Sequence, residues 1–344
     1  MTARFTRPRF VAFALLSVTL SLAISMAALL AVDVYAHSRV DKTSVNIWGY
    51  RGAVVGRKRP GEIRVVVAGG STVLGYGLAP DEAFPQQLER VLNDSAENTT
   101  ARFRVVNLGF NNEGAFSFQY TLADYAYLNY DVAVLYEGYN DLTVVNRHVF
   151  RREAALFRWF GYYPMLPTIA MEKMMLLRTG DLRAAYRGEK TVFQPTAVAR
   201  TKAALLDASM RLYASMEHQA ASWHRDAPLR ITDIGCSERW TFYCSAVDAG
   251  IAAALARRSR VVVVTQPWLT DLHRAQQAEL RRMLQARYGT DPRVSYLGLG
   301  DAIDLRDPEL CWDGMHLTPR GNQIIARSLM PAVRGVATAA LSAR

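Results

Sequence analysis

The chain has 344 residues, 50% of them hydrophobic and 21% charged, which excludes a disordered polypeptide and leaves room for one large α/β domain or an ordinary domain with an elaboration. The formal net charge is +10, but the arginines are scattered in pairs such as Arg151-Arg152, Arg257-Arg258 and Arg281-Arg282. No basic, aromatic-interleaved stripe tracks a phosphate backbone and no period repeats, so nucleic acid is not an expected partner and a solenoid or propeller is not an expected fold.

Phe10 to Val32 is an uncharged, mostly apolar run of 23 residues, long enough at 1.5 Å per residue to cross a bilayer core of about 30 Å. Arg4, Arg7 and Arg9 precede it, so the positive-inside rule keeps residues 1–9 in the cytoplasm and exports the chain beyond Asp33. Val34-Tyr35-Ala36 resembles a signal-peptide cleavage site, but the apolar run is longer than a usual signal core. A retained single-pass anchor in an inner membrane is the preferred reading over a cleaved signal. Either way the remainder is expected to be periplasmic or otherwise extracytoplasmic.

A polar connector, 37–61, leads to Ile63–Ala68, a β-branched run that stops at two glycines and reads as a buried parallel strand. Asp81 to Leu92 has helical spacing with Pro80 near its start. Further strands are expected at 103–108, 131–136, 261–264 and 294–297, and helices at about 116–128, 271–287 and 319–333. Strands alternating with helices imply a flavodoxin-like, doubly wound parallel sheet in three α/β/α layers, whose ligands bind beyond the carboxyl ends of the strands. Residues 142–259 interrupt the alternation. They open with Phe150, Phe157, Trp159, Phe160, Tyr162 and Tyr163, and include a helix at 197–224 with Leu206, Met210, Tyr213 and Met216 along one side. This segment is expected to be a mostly helical insertion or cap between the domain halves 62–141 and 260–340, packed on the main domain; a membrane-surface or acyl-chain role is the lesser reading.

The three cysteines, Cys236, Cys244 and Cys311, permit a disulfide in an exported protein. Cys236 with Cys244, or Cys311 with the Cys236 region, are both open pairings. No CxxC and no histidine pair at ligand spacing occurs, so a zinc site is not expected, and the acyl chemistry read from the motifs below needs no metal or organic cofactor.

Four separated segments carry chemistry. Gly69-Gly70-Ser71-Thr72 follows a strand; Ser71 is either a nucleophile or a plain helix cap, and the run lacks the Lys-Ser/Thr of a phosphate loop. Asn107 to Gly114 is a glycine-bearing run. In Gly138-Tyr139-Asn140-Asp141 the Asn140 amide is either an oxyanion donor or a turn asparagine. Asp313-Gly314-Met315-His316 supplies an oriented base, or else a loop before a helix capped by Thr318 with Pro319 at its first position.

In this order the segments resemble the SGNH hydrolases, also called GDSL-type esterases. Ser71, Asn140, Asp313 and His316 match that family's motifs directly, with Gly-Gly-Ser-Thr in place of Gly-Asp-Ser, a variant of membrane-anchored members. Gly49-Tyr50-Arg51-Gly52 is similar to a segment that often precedes that variant. The resemblance spans roughly 47–141 and 260–335. The glycine block departs from the pattern: from Asn107 to Gly114 it is two residues longer than usual. Gly114 is the chosen donor of a backbone N–H, with Gly109 and Asn112 as alternatives, and Glu113 is expected to face solvent.

The resemblance implies a serine esterase with Ser71, His316 and Asp313 as triad and the Ser71 N–H, Gly114 N–H and Asn140 amide as oxyanion hole. The implied substrate is a small-molecule, glycan or lipid ester, including O-acetyl groups of an envelope glycan. An O-acyltransferase acting on an envelope polysaccharide is the alternative, and a catalytically silent glycan-binding scaffold the second.

Overall fold

A computed structural model describes residues 7–38, 45–94, 101–181, 192–222, 229–231 and 234–341. The chain divides into two compact units, Met1–Val40 with Pro164–Ala214, and Asp41–Tyr163 with Ser215–Arg344.

In the first unit, α1 (Arg7–His37) is a 31-residue helix. Within Phe10–His37 an 18-residue window reaches a mean hydropathy of 2.3, and the stretch is long and apolar enough to cross a membrane. Leucines and phenylalanines stand exposed all round it, as lipid contact would require. Asp33 is buried near its end, where Oδ1 accepts the N–H groups of Met165 at 2.8 Å and Leu166 at 2.6 Å.

The second unit holds a five-stranded parallel sheet of β1 (Glu62–Gly69), β2 (Arg102–Asn107), β3 (Val132–Tyr136), β4 (Arg260–Thr265) and β5 (Val294–Gly298). Their order is β2-β1-β3-β4-β5, that of the flavodoxin-like fold class expected. The apolar runs are buried on both faces. Val66, Ala68, Ala133, Leu135, Val261 and Val263 pack on one side, and Val65, Val67, Val132, Val134, Val262 and Val264 on the other. Period-2 alternation thus feeds two separate cores rather than one core and water.

Completing the helices in chain order, α2 is Ser71–Leu74, α3 Phe84–Asp94, α4 Phe118–Asp124, α5 Ala155–Phe160, α6 Leu166–Thr179, α7 Ala197–Ser222, α8 Thr241–Leu255, α9 Asp271–Tyr288 and α10 Pro319–Leu341. Helices α3 and α10 cover one face of the sheet through Phe84, Leu88, Leu92, Leu329 and Val333. Helices α4, α8 and α9 cover the other through Phe118, Leu122, Tyr243, Val247, Ile251 and Leu280.

Several boundaries differ from the sequence expectation. The turn beginning at Pro80 is a 3-10 helix, Pro80–Glu82, and α3 starts only at Phe84. Helix α8 lies inside the segment read as an insertion, yet it packs on the sheet with Tyr243, Cys244, Ala246, Val247, Ile251 and Ala254 buried. Its run of alanine, glycine and cysteine is nearly apolar all round, so no periodicity announces it. In α7, Leu206, Met210 and Tyr213 are half-buried, whereas Met216 is exposed.

Candidate active site

Strand β1 sits between β2 and β3, and the chain reverses its direction of winding there. Gly69 at the end of β1 pairs with Tyr136 at the end of β3, so the turns that follow these two strands emerge side by side. The first turn carries Ser71 and the second Asn140. Ser71 opens the single-turn helix α2 with Gly70 as its N-cap, so the serine side chain is not the cap and is free for chemistry. A Cβ on Gly70 would lie 2.3 Å from Asn140 Nδ2 and 2.8 Å from Glu137 Oε2. Only glycine lets the second turn close so tightly on the first.

His316 and Asp313 arrive from the loop between β5 and α10. Cys311 and Leu317 bridge the base of that loop, and Trp312 N–H donates to the carbonyl of His316 at 3.1 Å. Asp313 Oδ1 accepts the N–H groups of Met315 at 3.0 Å and His316 at 2.7 Å, which folds the loop around its own carboxylate. Gly314 completes the turn at φ 82°, in the left-handed region. The other carboxylate oxygen, Oδ2, lies 2.7 Å from His316 Nδ1, and His316 Nε2 lies 2.9 Å from Ser71 Oγ. Serine, imidazole and carboxylate therefore form one continuous chain of hydrogen bonds. Burial raises the Asp313 carboxyl, but the hydrogen bonds from His316 outweigh that and hold it below its ordinary value. Asp313 stays anionic and fixes the imidazole tautomer with Nδ1 protonated, leaving Nε2 as acceptor toward the serine.

Asn140 Nδ2 donates to the carbonyl of Glu113 at 2.9 Å, so one amide proton is committed and the other is available. Ser71 N–H, at the first helical position, has no intrahelical acceptor. Of the three backbone donors considered in the glycine block, Gly109 N–H is spent on Asn107 Oδ1 at 2.9 Å. Gly114 belongs to the peptide whose carbonyl faces Asn140. In a trans peptide its N–H points the opposite way, and a Cβ there would meet Asp141 Oδ1 at 2.5 Å. Asn112 takes the left-handed conformation, φ 59°, and its N–H has no acceptor among the described residues.

Glu113 departs from expectation: it is buried rather than solvent-facing, and its Oε2 lies 3.3 Å from Arg151 Nη1. Arg151 is itself buried and donates to the carbonyls of Gly49, Leu108 and Gly109, with its guanidinium over the Phe110 ring. The carboxylate is therefore turned to an internal cation. Sequence reasoning missed this arginine because nothing in Phe150-Arg151-Arg152 distinguishes an interior guanidinium from a surface one.

Gln266 and Asn146, which the motifs do not reveal, and Asn107 at the head of the glycine block hold the site together. Gln266, just past β4, donates to Thr72 Oγ1 at 2.8 Å and accepts the Tyr139 N–H at 2.9 Å, linking the serine turn to the asparagine turn. Asn146 Nδ2 donates to the carbonyl of Asn112 at 2.8 Å. Asn107 Nδ2 donates to the carbonyl of Val73 at 2.8 Å. At the site's edge the Tyr76 ring lies 4.8 Å from the His316 ring, and Trp312 is 44% exposed. A basic cleft of about 710 Å³ lined by Arg57, Lys58 and Arg59 lies at the amino end of β1, the opposite end from Ser71. Cys236 and Cys244 form a disulfide, and Cys311 is a buried free thiol, which decides between the pairings the sequence left open.

No family model and no curated protein matches the chain. Among solved structures, the chain is similar to a family 3 carbohydrate esterase from Clostridium thermocellum, with 12% identity, TM-score 0.42, and 80% of this chain and 99% of that one covered. A protein assigned to the G-D-S-L lipolytic family from Desulfitobacterium hafniense gives 12% identity, TM-score 0.41, and 78% and 98% coverage. A family 3 carbohydrate esterase from Talaromyces cellulolyticus gives 12% identity, TM-score 0.37, and 80% and 98% coverage.

Proposed function

We propose that the chain is a serine esterase of the SGNH type. The observation that carries this reading is the unbroken path from Ser71 Oγ through His316 to Asp313, at 2.9 and 2.7 Å. Ser71 Oγ attacks an ester carbonyl while His316 Nε2 takes its proton. The oxyanion is met by the Ser71 N–H and the free amide proton of Asn140, with the Asn112 N–H as the third donor in preference to Gly114. Collapse of the tetrahedral intermediate breaks the ester C–O bond, and His316 returns the proton to the leaving alcohol. Water, deprotonated by the same imidazole, then attacks the acyl-serine and releases the acid.

Within this reading the substrate is an O-acylated glycan. Tyr76 beside His316 and the half-exposed Trp312 next to Asp313 offer flat apolar faces on which a pyranose ring could rest. Helix α1 serves as a retained anchor, with the second unit on the outer side of the membrane, where a Cys236–Cys244 disulfide is stable.

The test is intact-mass labelling of the full chain in detergent with a fluorophosphonate. Wild type should gain one adduct, on Ser71, and Ser71→Ala and His316→Ala none. A folded wild type that takes no label would turn the reading toward a silent scaffold. A labelled protein that moves acyl groups to a sugar hydroxyl faster than to water would make it a transferase.

A further inference from the structure

Behind the asparagine turn lies a buried carboxyl group that the triad does not use. Glu137 follows β3 directly and is 2% exposed. Its Oε1 accepts the N–H of Gly138 at 3.0 Å and the N–H of Asn140 at 3.4 Å. Its Oε2 lies against Gly70, 2.8 Å from the place of a Cβ there. Tyr243 Oη, from α8, donates to the Glu137 carbonyl at 3.2 Å and holds the residue from the side of the core. One side chain thus fastens the backbone of the residue whose amide would meet the oxyanion, and abuts the residue whose peptide supplies the Ser71 N–H.

We propose that Glu137 is a positioning residue for the reaction at Ser71, setting the Asn140 turn against Gly70 and making the oxyanion hole sensitive to alkaline pH. The proposal rests on reading Ser71 as the nucleophile. Its second part comes from Asp141, which is also buried, accepts the Ala115 N–H at 2.9 Å through Oδ2, and leaves Oδ1 without a partner. Burial and then the neighbouring Asp141 push the Glu137 carboxyl up, against the N–H groups of Gly138, Asn140 and Gly70; burial pushes Asp141 up as well. Two carboxylates in one dry site do not both ionise easily, so the pair keeps a proton that an isolated pair in water would lose.

The other groups facing this site do not compensate. Tyr136 and Tyr139 flank Glu137, and Tyr243 approaches from α8; burial raises all three phenols, so they are neutral. His273 of α9 stands 2.9 Å from the place of a Cβ on Gly138, and burial lowers it to about 4, so it carries no charge at neutral pH. The carboxylate of Glu113 is turned to Arg151. Loss of the shared proton therefore places two negative charges behind the point where negative charge develops on the substrate, which opposes catalysis.

The experiment is the pH dependence of p-nitrophenyl acetate hydrolysis by the full chain in detergent, with Ser71 labelling run in parallel, for wild type, Glu137→Gln and Glu137→Ala. Wild type should lose kcat on the alkaline side with KM nearly constant. Glu137→Gln keeps an acceptor oxygen but cannot ionise, and should hold its kcat across that range. Glu137→Ala should lower kcat by about 10- to 100-fold, on the scale of a misplaced oxyanion donor. An alkaline fall that persists unchanged in Glu137→Gln overturns the proposal, as does a Glu137→Ala enzyme with wild-type kcat. Should Glu137→Ala fail to fold, the Gln profile decides alone. Absence of labelling in wild type removes the esterase reading itself, and the proposal with it, whereas labelling with a flat wild-type pH profile removes only the proposal.

Discussion

At the scale of single residues, the site separates groups that react from groups that hold them. In the proposed mechanism Asn140 does both: one amide proton goes to the Glu113 carbonyl and the other would meet the oxyanion. Asn140→Ala should lower kcat by roughly 10²–10³ while leaving KM within a few-fold, since an oxyanion donor acts mainly in the transition state. A melting temperature close to wild type, measured alongside the kinetics, would separate lost catalysis from lost fold. A fall in kcat of less than about tenfold would remove the amide from the hole.

At the scale of elements, the turns after β1, β2, β3 and β4 are joined by side chains from outside the four motifs. Arg151 is the most connected, binding the carbonyls of Gly49, Leu108 and Gly109 and the Glu113 carboxylate. Arg151 and Glu113 are 1% exposed, so removing one leaves the other's charge uncompensated in a dry interior. Arg151→Met should cost about 3–5 kcal/mol of stability, read as a shift in the denaturant midpoint. Pairing it with Glu113→Gln should recover part of that loss. Single and double variants of equal stability would show that the ion pair is not coupled as the geometry requires.

At the scale of the whole molecule, the buried carboxyls tie stability to pH. Glu137 and Asp141 have folded-state pKa values raised above the unfolded values, chiefly by burial. The folded state therefore binds more protons than the unfolded one as pH rises through and above the ordinary carboxyl range, and stability falls over that interval. Asp313, whose pKa is depressed, contributes in the opposite sense at acid pH, but it is partly exposed and its contribution is screened. Glu137→Gln removes one raised group. Relative to wild type, its melting temperature should gain steadily as pH increases from about 5 to 8. A constant offset between the two proteins over that range would mean that Glu137 ionises as freely when folded as when unfolded.

The strands and helices of the parallel sheet were legible because β-branched runs ending at glycines, spaced by amphipathic helices, are local signals of strand and helix, whereas the strand order came from the fold. Ser71, Asn140, Asp313 and His316 could be singled out because each sits in a short run whose glycines and polar residues come after a strand or precede a helix. Local sequence could not show that Glu113 and Arg151 are internal partners, since burial of a charge depends on a residue 38 positions away. Nor could it show that Gln266 joins two turns, that α8 is a core helix, or which cysteines pair. In the glycine block, the family resemblance favoured Gly114. Peptide orientation, a property of the folded turn, turns its N–H away from Asn140, and the Asn112 N–H is the donor proposed in its place. The one-dimensional pattern thus determined which elements form and which residue types could do acyl chemistry. Packing at the carboxyl ends of β1 and β3 decided which of them meet, because hydrogen-bond geometry and desolvation exist only once distant segments share the same few ångströms.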